Sequence, residues 1–202
     1  PLTITGNTTL VYGQKLTLGT TGGSGTGAVT YRIVEAGGTG EATIDADGIL
    51  IPVRVGTVTI IAAKAGDADY NEVTSKPFVI TITKALPTGE PKYTVITTAG
   101  RTLADAGLTL TGSNLNPADG TLEWIDDAGK ELSDNTKVEV NKAYKWRFTP
   151  TDTNYNILTG EITPYPVYSI IDGANSSWTQ NTDGTLAIRG NGEFTKFQRV
   201  KV

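Results

Sequence analysis

At 202 residues, with 38% hydrophobic and 19% charged residues and a formal net charge of −4, the chain has room for two domains, each able to bury a core without a disulfide or metal staple. It contains no His, Cys or Met, which excludes Ser-His-Asp and Cys-His catalysis and nearly every zinc site, and leaves a Ser-Lys or carboxylate pair only on paper. Charges of both signs are interspersed, which argues against a nucleic-acid partner, and no apolar run approaches the ~18 residues of a membrane span.

Thr and Gly dominate the sequence, with 34 and 24 residues. Thr suits a half-exposed pleated surface and Gly supplies tight turns, so many short strands are expected. Over residues 1–85 the alternation predicts about seven: Leu2–Ile4, Lys15–Leu18, Ala28–Val34, Ala42–Ile44, Gly48–Ile51, Thr57–Ala62 and Phe78–Ile82. Asp45-Ala46-Asp47-Gly48 reads as the turn between two of them. The Gly-rich stretch at 20–27 reads as a loop. Residues 86–91, with Pro87 and Pro91, are expected to form a linker, since proline breaks strand pairing and keeps the chain extended. A second module is expected over 92–166, with strands at Tyr93–Ile96, Leu108–Leu110, Leu122–Ile125, Lys137–Val140, Tyr144–Phe148 and Leu158–Ile162. One helical turn is the most that Leu103–Ala106 offers. Residues 167–202 read as the start of a third, incomplete β module.

The division rests on an internal repeat. Asp67-Ala68-Asp69-Tyr70-Asn71-Glu72-Val73-Thr74 recurs as Asp152-Thr153-Asn154-Tyr155-Asn156-Ile157-Leu158-Thr159, 85 residues later, and in both copies an alternating strand precedes the motif and a final strand follows it. The period is the size of a module rather than of a solenoid unit.

Several features of the first module resemble the bacterial immunoglobulin-like repeats of Gram-positive cell-surface proteins. They are Tyr12-Gly13, the stretch Thr20–Tyr31, Ile44-Asp45-Ala46-Asp47-Gly48, Gly56-Thr57-Val58-Thr59-Ile60 and Ala65-Gly66-Asp67-Ala68-Asp69-Tyr70. The second module is similar only through Phe148-Thr149-Pro150 and the motif around Asp152–Tyr155. The resemblance implies an all-β fold of tandem immunoglobulin-like β-sandwich modules. It also implies an extracellular location on the bacterial surface and a non-catalytic structural or spacer role, with no cofactor and a monomeric state. The chain is then expected to be a piece of something longer, lacking its signal peptide and anchor. An adhesive role is the alternative, in which loops at one end of a sandwich bind a glycan or a host extracellular protein.

Individual residues are weighed on that background. Asp45/Asp47 and Asp67/Asp69 resemble hard-cation ligands, but lack the further acidic ligands of a calcium loop, so Asx turns are expected. Trp146 alternates with Tyr144 and Phe148, and Trp124 with Leu122, as core faces do. Trp178 is the candidate ligand contact. Tyr70 and Tyr155 are expected as structural tyrosines, each ring closing one end of a sandwich with its hydroxyl bonded to loop backbone. Asp67, Asp69 and Asp152 are expected to hold those loops, with Asn154 completing the second copy. Leu86-Pro87-Thr88-Gly89 lacks the residue between Pro and Thr that a sortase signal carries. A Lys–Asn crosslink of the kind found in some such modules is not expected, since no Lys stands isolated in an apolar run.

Overall fold

The computed structural model describes residues 1–34, 38–166, 177–180 and 186–189, the last two stretches as backbone strands. The protein is all-β, with several separate sheets and a single helical turn among the described residues. It divides into two compact units: Pro1–Leu86 together with Asp152–Asn156, and Pro87–Thr151 together with Ile157–Val202.

The first unit is organised by one long strand. Counting in chain order, β1 is Leu2–Thr5, β2 Thr9–Val11, β3 Leu16–Thr17, β4 Gly19–Gly22, β5 Val29–Ile33, β6 Glu41–Ile44, β7 Ile49–Arg54, β8 Gly56–Lys64, β9 Val73–Thr74 and β10 Phe78–Thr83. The β-branched run of β8 pairs antiparallel with β10 and then β9 along one edge and with β5 along the other. Beyond β10, β2 adds in parallel, with Thr81 opposite Thr9. A second sheet is formed by β3, β7 and β6, and β1 pairs with β4. Val58, Thr59 and Ile60 are buried consecutively in β8, because a central strand is covered on both faces. In β10 only one face is covered: Ile80 and Ile82 are buried while Val79 and Thr81 point outward. Leu2 and Ile4 from β1, Leu10 from β2, Leu50 from β7 and the β8 and β10 residues make one apolar core. Each fully buried Ile or Leu in it contributes roughly 1.5–3 kcal/mol.

All seven expected strands are present here, with shifted ends, and three more join them. The additional strands, β2, β4 and β9, are too short or too Gly- and Thr-rich to show apolar alternation. Thr20–Gly22, expected as loop, pairs with Leu2–Ile4 through backbone alone. Ser75 follows β9 and extends its pairing: its hydroxyl accepts from Ala62 N at 3.0 Å and donates to Lys76 O at 2.9 Å.

The second unit holds a three-stranded meander: β11 is Gly120–Ile125, β12 Tyr144–Pro150 and β13 Leu158–Ile162. The alternation of Tyr144, Trp146 and Phe148 places all three on one buried face. With Ile96, Leu115, Trp124, Val138 and Tyr165, and with Leu103 and Ala106 of the helical turn α1 (Leu103–Ala106), they form a second core. Thr102 caps α1 in a reciprocal box with Asp105, whose carboxylate accepts from Thr102 N at 2.8 Å.

Three strands expected in this unit, over 93–96, 108–110 and 137–140, are not strands. They reduce to isolated pairings of Lys92 with Thr109 and of Thr102 with Lys137. Their apolar residues still serve the core, since Ile96 and Val138 are buried. Alternation reports which side chains face inward and not whether the backbone finds a ladder. Residues 87–91, expected as a linker, are counted within this unit. Pro87 and Pro91 are buried, Thr88 and Asn116 exchange two backbone hydrogen bonds at 2.9 Å, and Glu90 N donates to Asn114 Oδ1 at 2.7 Å. Of the expected third module, Ser177–Gln180 (β14) and Leu186–Arg189 (β15) pair antiparallel, and its remainder lies outside the described residues.

Candidate functional site

The repeated Asp-x-x-Tyr segments fall in the first unit, and they are built in different ways. In the first copy, the Asp67 carboxylate organises the loop. Its Oδ1 accepts from Asp69 N and Tyr70 N, both at 3.0 Å. Its Oδ2 reaches across to the loop before β5, accepting from Thr26 N at 2.6 Å and from the Thr26 hydroxyl at 3.2 Å. The backbone hydrogen bond from Thr26, followed by those from Asp69 and Tyr70, holds the Asp67 carboxyl below its ordinary range. Asp45 builds the same kind of turn, accepting from Asp47 N at 3.0 Å and Ile49 N at 2.8 Å. Gly48 closes that turn at φ +77°, against the Tyr31 ring, where a side chain would collide. These carboxylates spend their lone pairs on backbone N–H groups. Among the described residues no three acidic groups gather as a metal site would require.

Tyr70, at the head of this loop, is 51% exposed. The structure thus departs from the expected ring closing the end of a sandwich. The ring lies half-covered beside the Gly-rich loop, where a Cβ on Gly25 would fall 3.2 Å from Tyr70 Cδ2.

The second copy is more deeply set. Asp152 Oδ1 accepts from Asn154 N at 2.9 Å, again as an Asx turn. Asn154 Oδ1 accepts from Val55 N at 2.9 Å, at the junction between β7 and β8. Asn154 O accepts from Ala85 N at 3.0 Å, and Asn156 N donates to Ala85 O at 2.8 Å, so residues 154–156 run parallel to Ala85. The Tyr155 ring meets Tyr12 edge to face, with centroids 5.6 Å apart and planes at 81°. Tyr12, Val55 and Ala85 therefore form a receiving surface for residues 154–156. Tyr12 was visible within the Tyr12-Gly13 pair. Nothing in the sequence around Val55 marks its N–H as the partner of a side chain 99 residues away.

The hydroxyl-to-loop bond expected of Tyr70 and Tyr155 belongs to another residue. Tyr144 is buried, accepts from Glu139 N at 3.0 Å and donates to Lys137 O at 3.2 Å. Its ring also meets Trp124 edge to face at 6.4 Å. Trp124 and Trp146 are core residues, 4% and 3% exposed. Trp178, the candidate ligand contact, stands in β14 opposite Ile188, and its side chain lies outside the described residues.

A depression of about 240 Å³ in the second unit is lined by Ile125, Asp126, Asp127, Lys142, Tyr144 and Lys145, among others. Most of its charges are paired or hydrogen-bonded: Lys145 pairs with Asp127 at 2.9 Å and Lys142 with Glu139, Asp126 accepts from Ala128 N and Lys130 N, and Glu161 also lines it. Hydrogen bonding to Lys145 lowers the Asp127 pKa, and the same bond raises that of Lys145. Both groups keep their charges through neutral pH, which suits ion pairing rather than proton transfer. No described helix is long and apolar enough to cross a membrane.

No protein-family model matches the chain, and no curated protein matches it in sequence.

Proposed function

We propose that the chain supplies immunoglobulin-like structural modules of a bacterial cell-surface protein, acting as non-catalytic spacers that project or support other domains. The observation that carries this reading is the presence of two β units that each close their own apolar core, one centred on Ile60 and Ile80 and the other on Trp146 and Phe148. Self-contained units of this size suit serial connection, since each needs nothing from a ligand or metal to bury its core. The satisfied Asx loops at Asp45, Asp67 and Asp126 support it as well, because turns closed on their own backbone need no ligand to be ordered. The resemblance of Thr20–Tyr31 and Ala65–Tyr70 to surface-protein repeats supplies the compartment.

Small-angle scattering of the 202-residue chain tests the spacer role. An elongated particle with a two-peaked distance distribution is expected, and a single collapsed globule overturns the reading. A screen against a glycan array and a panel of extracellular host proteins tests the adhesive alternative. A saturable hit lost on Trp178→Ala or on substitution in the 20–27 loop would replace the spacer by an adhesin.

A further inference from the structure

We propose that the outer edge of β5 is a self-association site, where the same strand of a second copy of this chain pairs with it antiparallel about a two-fold axis at Tyr31. The inference rests on the first unit alone and is independent of the spacer role. Where β5 meets β8, Val34 N donates to Thr59 O and Ala65 N donates to Ala28 O. Bonded pairs alternate in an antiparallel ladder, so the residues of β5 that bond to β8 are Thr30 and Arg32. The same alternation holds on β8, whose Ala62 bonds to Ser75 on the opposite edge. The N–H and C=O groups of Val29, Tyr31 and Ile33 therefore point away from the sheet, and no described residue takes them.

Other strand edges carry devices that discourage such pairing. β2 is three residues long, β6 shifts register between Glu41 and Ala42, and the outer side of β11 is partly taken by Leu132 N on Trp124 O. β5 has five residues, Val29-Thr30-Tyr31-Arg32-Ile33, with no Pro, Gly or register shift. Val29, Tyr31 and Ile33 sit half-buried at the margin of the first core, and an added strand covers the apolar surface they still expose. Arg32 is exposed and has no carboxylate partner among the described residues, whereas Arg54, Arg101 and Arg147 pair with Glu41, Asp105 and Glu123.

The match of the strand to itself identifies the occupant, and Arg32 sets the register. With Tyr31 opposite Tyr31, Val29 faces Ile33, and every outward N–H and C=O group of these residues finds a partner. Arg32 then stands across from Thr30 on the exposed face. The Thr30 hydroxyl reaches Ala63 O at 3.5 Å and keeps its lone pairs free to accept from the guanidinium. Sliding the strands until Tyr31 faces Ile33 sets Arg32 against Arg32, a like-charge pair that opposes that register. Sliding them the other way sets Ile33 against Gly27, which has no side chain to cover it. The contact uses each copy's β5 once, so association closes at a dimer. It departs from the monomeric state that the surface-protein resemblance implies.

Sedimentation equilibrium of the full chain from micromolar to millimolar concentration tests the pairing, with two variants at Thr30. The parent chain is expected to pass from monomer to dimer. Thr30→Glu sets a carboxylate opposite Arg32 of the other copy, and its two symmetric pairs are expected to tighten the dimer about 2–30-fold. Thr30→Arg sets like charges there and is expected to weaken the dimer by a similar factor. Neither change should alter the circular dichroism of the monomer, because Thr30 is exposed. Amide exchange gives a second readout that needs no variant. Thr30 and Arg32 should be protected at every concentration, while Val29, Tyr31 and Ile33 gain protection as the dimer forms. A constant monomer mass in both the parent and Thr30→Glu overturns the proposal. So does association that the two variants leave unchanged or shift in the same direction, and so does exchange at Val29, Tyr31 and Ile33 that ignores concentration.

Discussion

The indole of Trp146 lies against Gly160, its register partner on the neighbouring strand, so closely that a Cβ on Gly160 would fall 2.5 Å from Trp146 Cζ2. On the other edge of β12, opposite Pro150, a Cβ on Gly120 would fall 2.4 Å from Thr149 O and 2.6 Å from Phe148 Cε2. The meander thus accommodates two large rings by leaving out the side chains beside them.

Gly160→Ala should therefore destabilise the second unit. Overpacking of this kind costs about 1–3 kcal/mol, only partly offset by the ~0.4–1 kcal/mol that Ala gains by restricting the unfolded chain. In urea, Trp fluorescence should show a lower midpoint with an unchanged slope. A midpoint that rises would mean that the ring is free to move aside.

The two units differ in how much of them the sequence made legible. In the first, nearly every apolar alternation became a strand, because Val58, Ile60, Ile80 and Ile82 read in register with a regular ladder. In the second, Ile96 and Val138 kept the right pattern for the core on an irregular backbone, where Ile96 N finds Pro164 O and Val138 N finds Arg101 O. Pairings of that kind depend on residues distant in the chain and leave no local signature. The repeated motif was legible as a motif, and its Asx turns followed from Asp67 and Asp152. Its two environments were not, because they are set by Thr26 in one copy and by Val55, Ala85 and Tyr12 in the other.

Ile60 is fully buried in β8 and lies between Phe78 of β10 and Ile33 of β5. Ile60→Ala is expected to cost the first unit about 2–5 kcal/mol, the lost transfer energy plus the cavity left behind. Val79→Ala, on the outward face of β10 and half exposed, should stay within about 0.5 kcal/mol. Thermal melts followed by circular dichroism distinguish the two. Equal shifts would contradict the one-sided burial of β10.

Acid should loosen the loop that Asp67 organises. The folded-state pKa of Asp67 lies below its ordinary value of 3.8, first because of the Thr26 backbone bond. A depressed carboxylate contributes stability that is complete above the unfolded pKa and is lost as pH falls through the folded one. Urea midpoints should fall as pH drops below about 3.8. Asp67→Asn should flatten part of that fall and leave the share due to Asp105 and Asp127, whose pKa values are also lowered. An identical acid profile for Asp67→Asn and the parent would show that the loop contributes nothing.

Tyr144 and Tyr70 make opposite use of their hydroxyls, and the contrast is measurable. The Tyr144 hydroxyl joins two loop groups, accepting from Glu139 N and donating to Lys137 O, on a side chain only 4% exposed. Tyr144→Phe removes both bonds while keeping the ring against Trp124, so packing is preserved and only the polar contribution is lost. The cost should be about 0.5–1.5 kcal/mol, at the modest end for a buried bond because Glu139 and Lys137 remain accessible to water. Hydrogen exchange at the Glu139 amide should accelerate in parallel. Tyr70 is half exposed and its hydroxyl bonds to nothing among the described residues, so Tyr70→Phe should leave the urea midpoint unchanged. A Tyr70→Phe cost equal to that of Tyr144→Phe would restore the structural role first expected of Tyr70. Little change in either variant would mean that water replaces the Tyr144 hydroxyl without loss, and that the ring alone anchors the 137–144 loop.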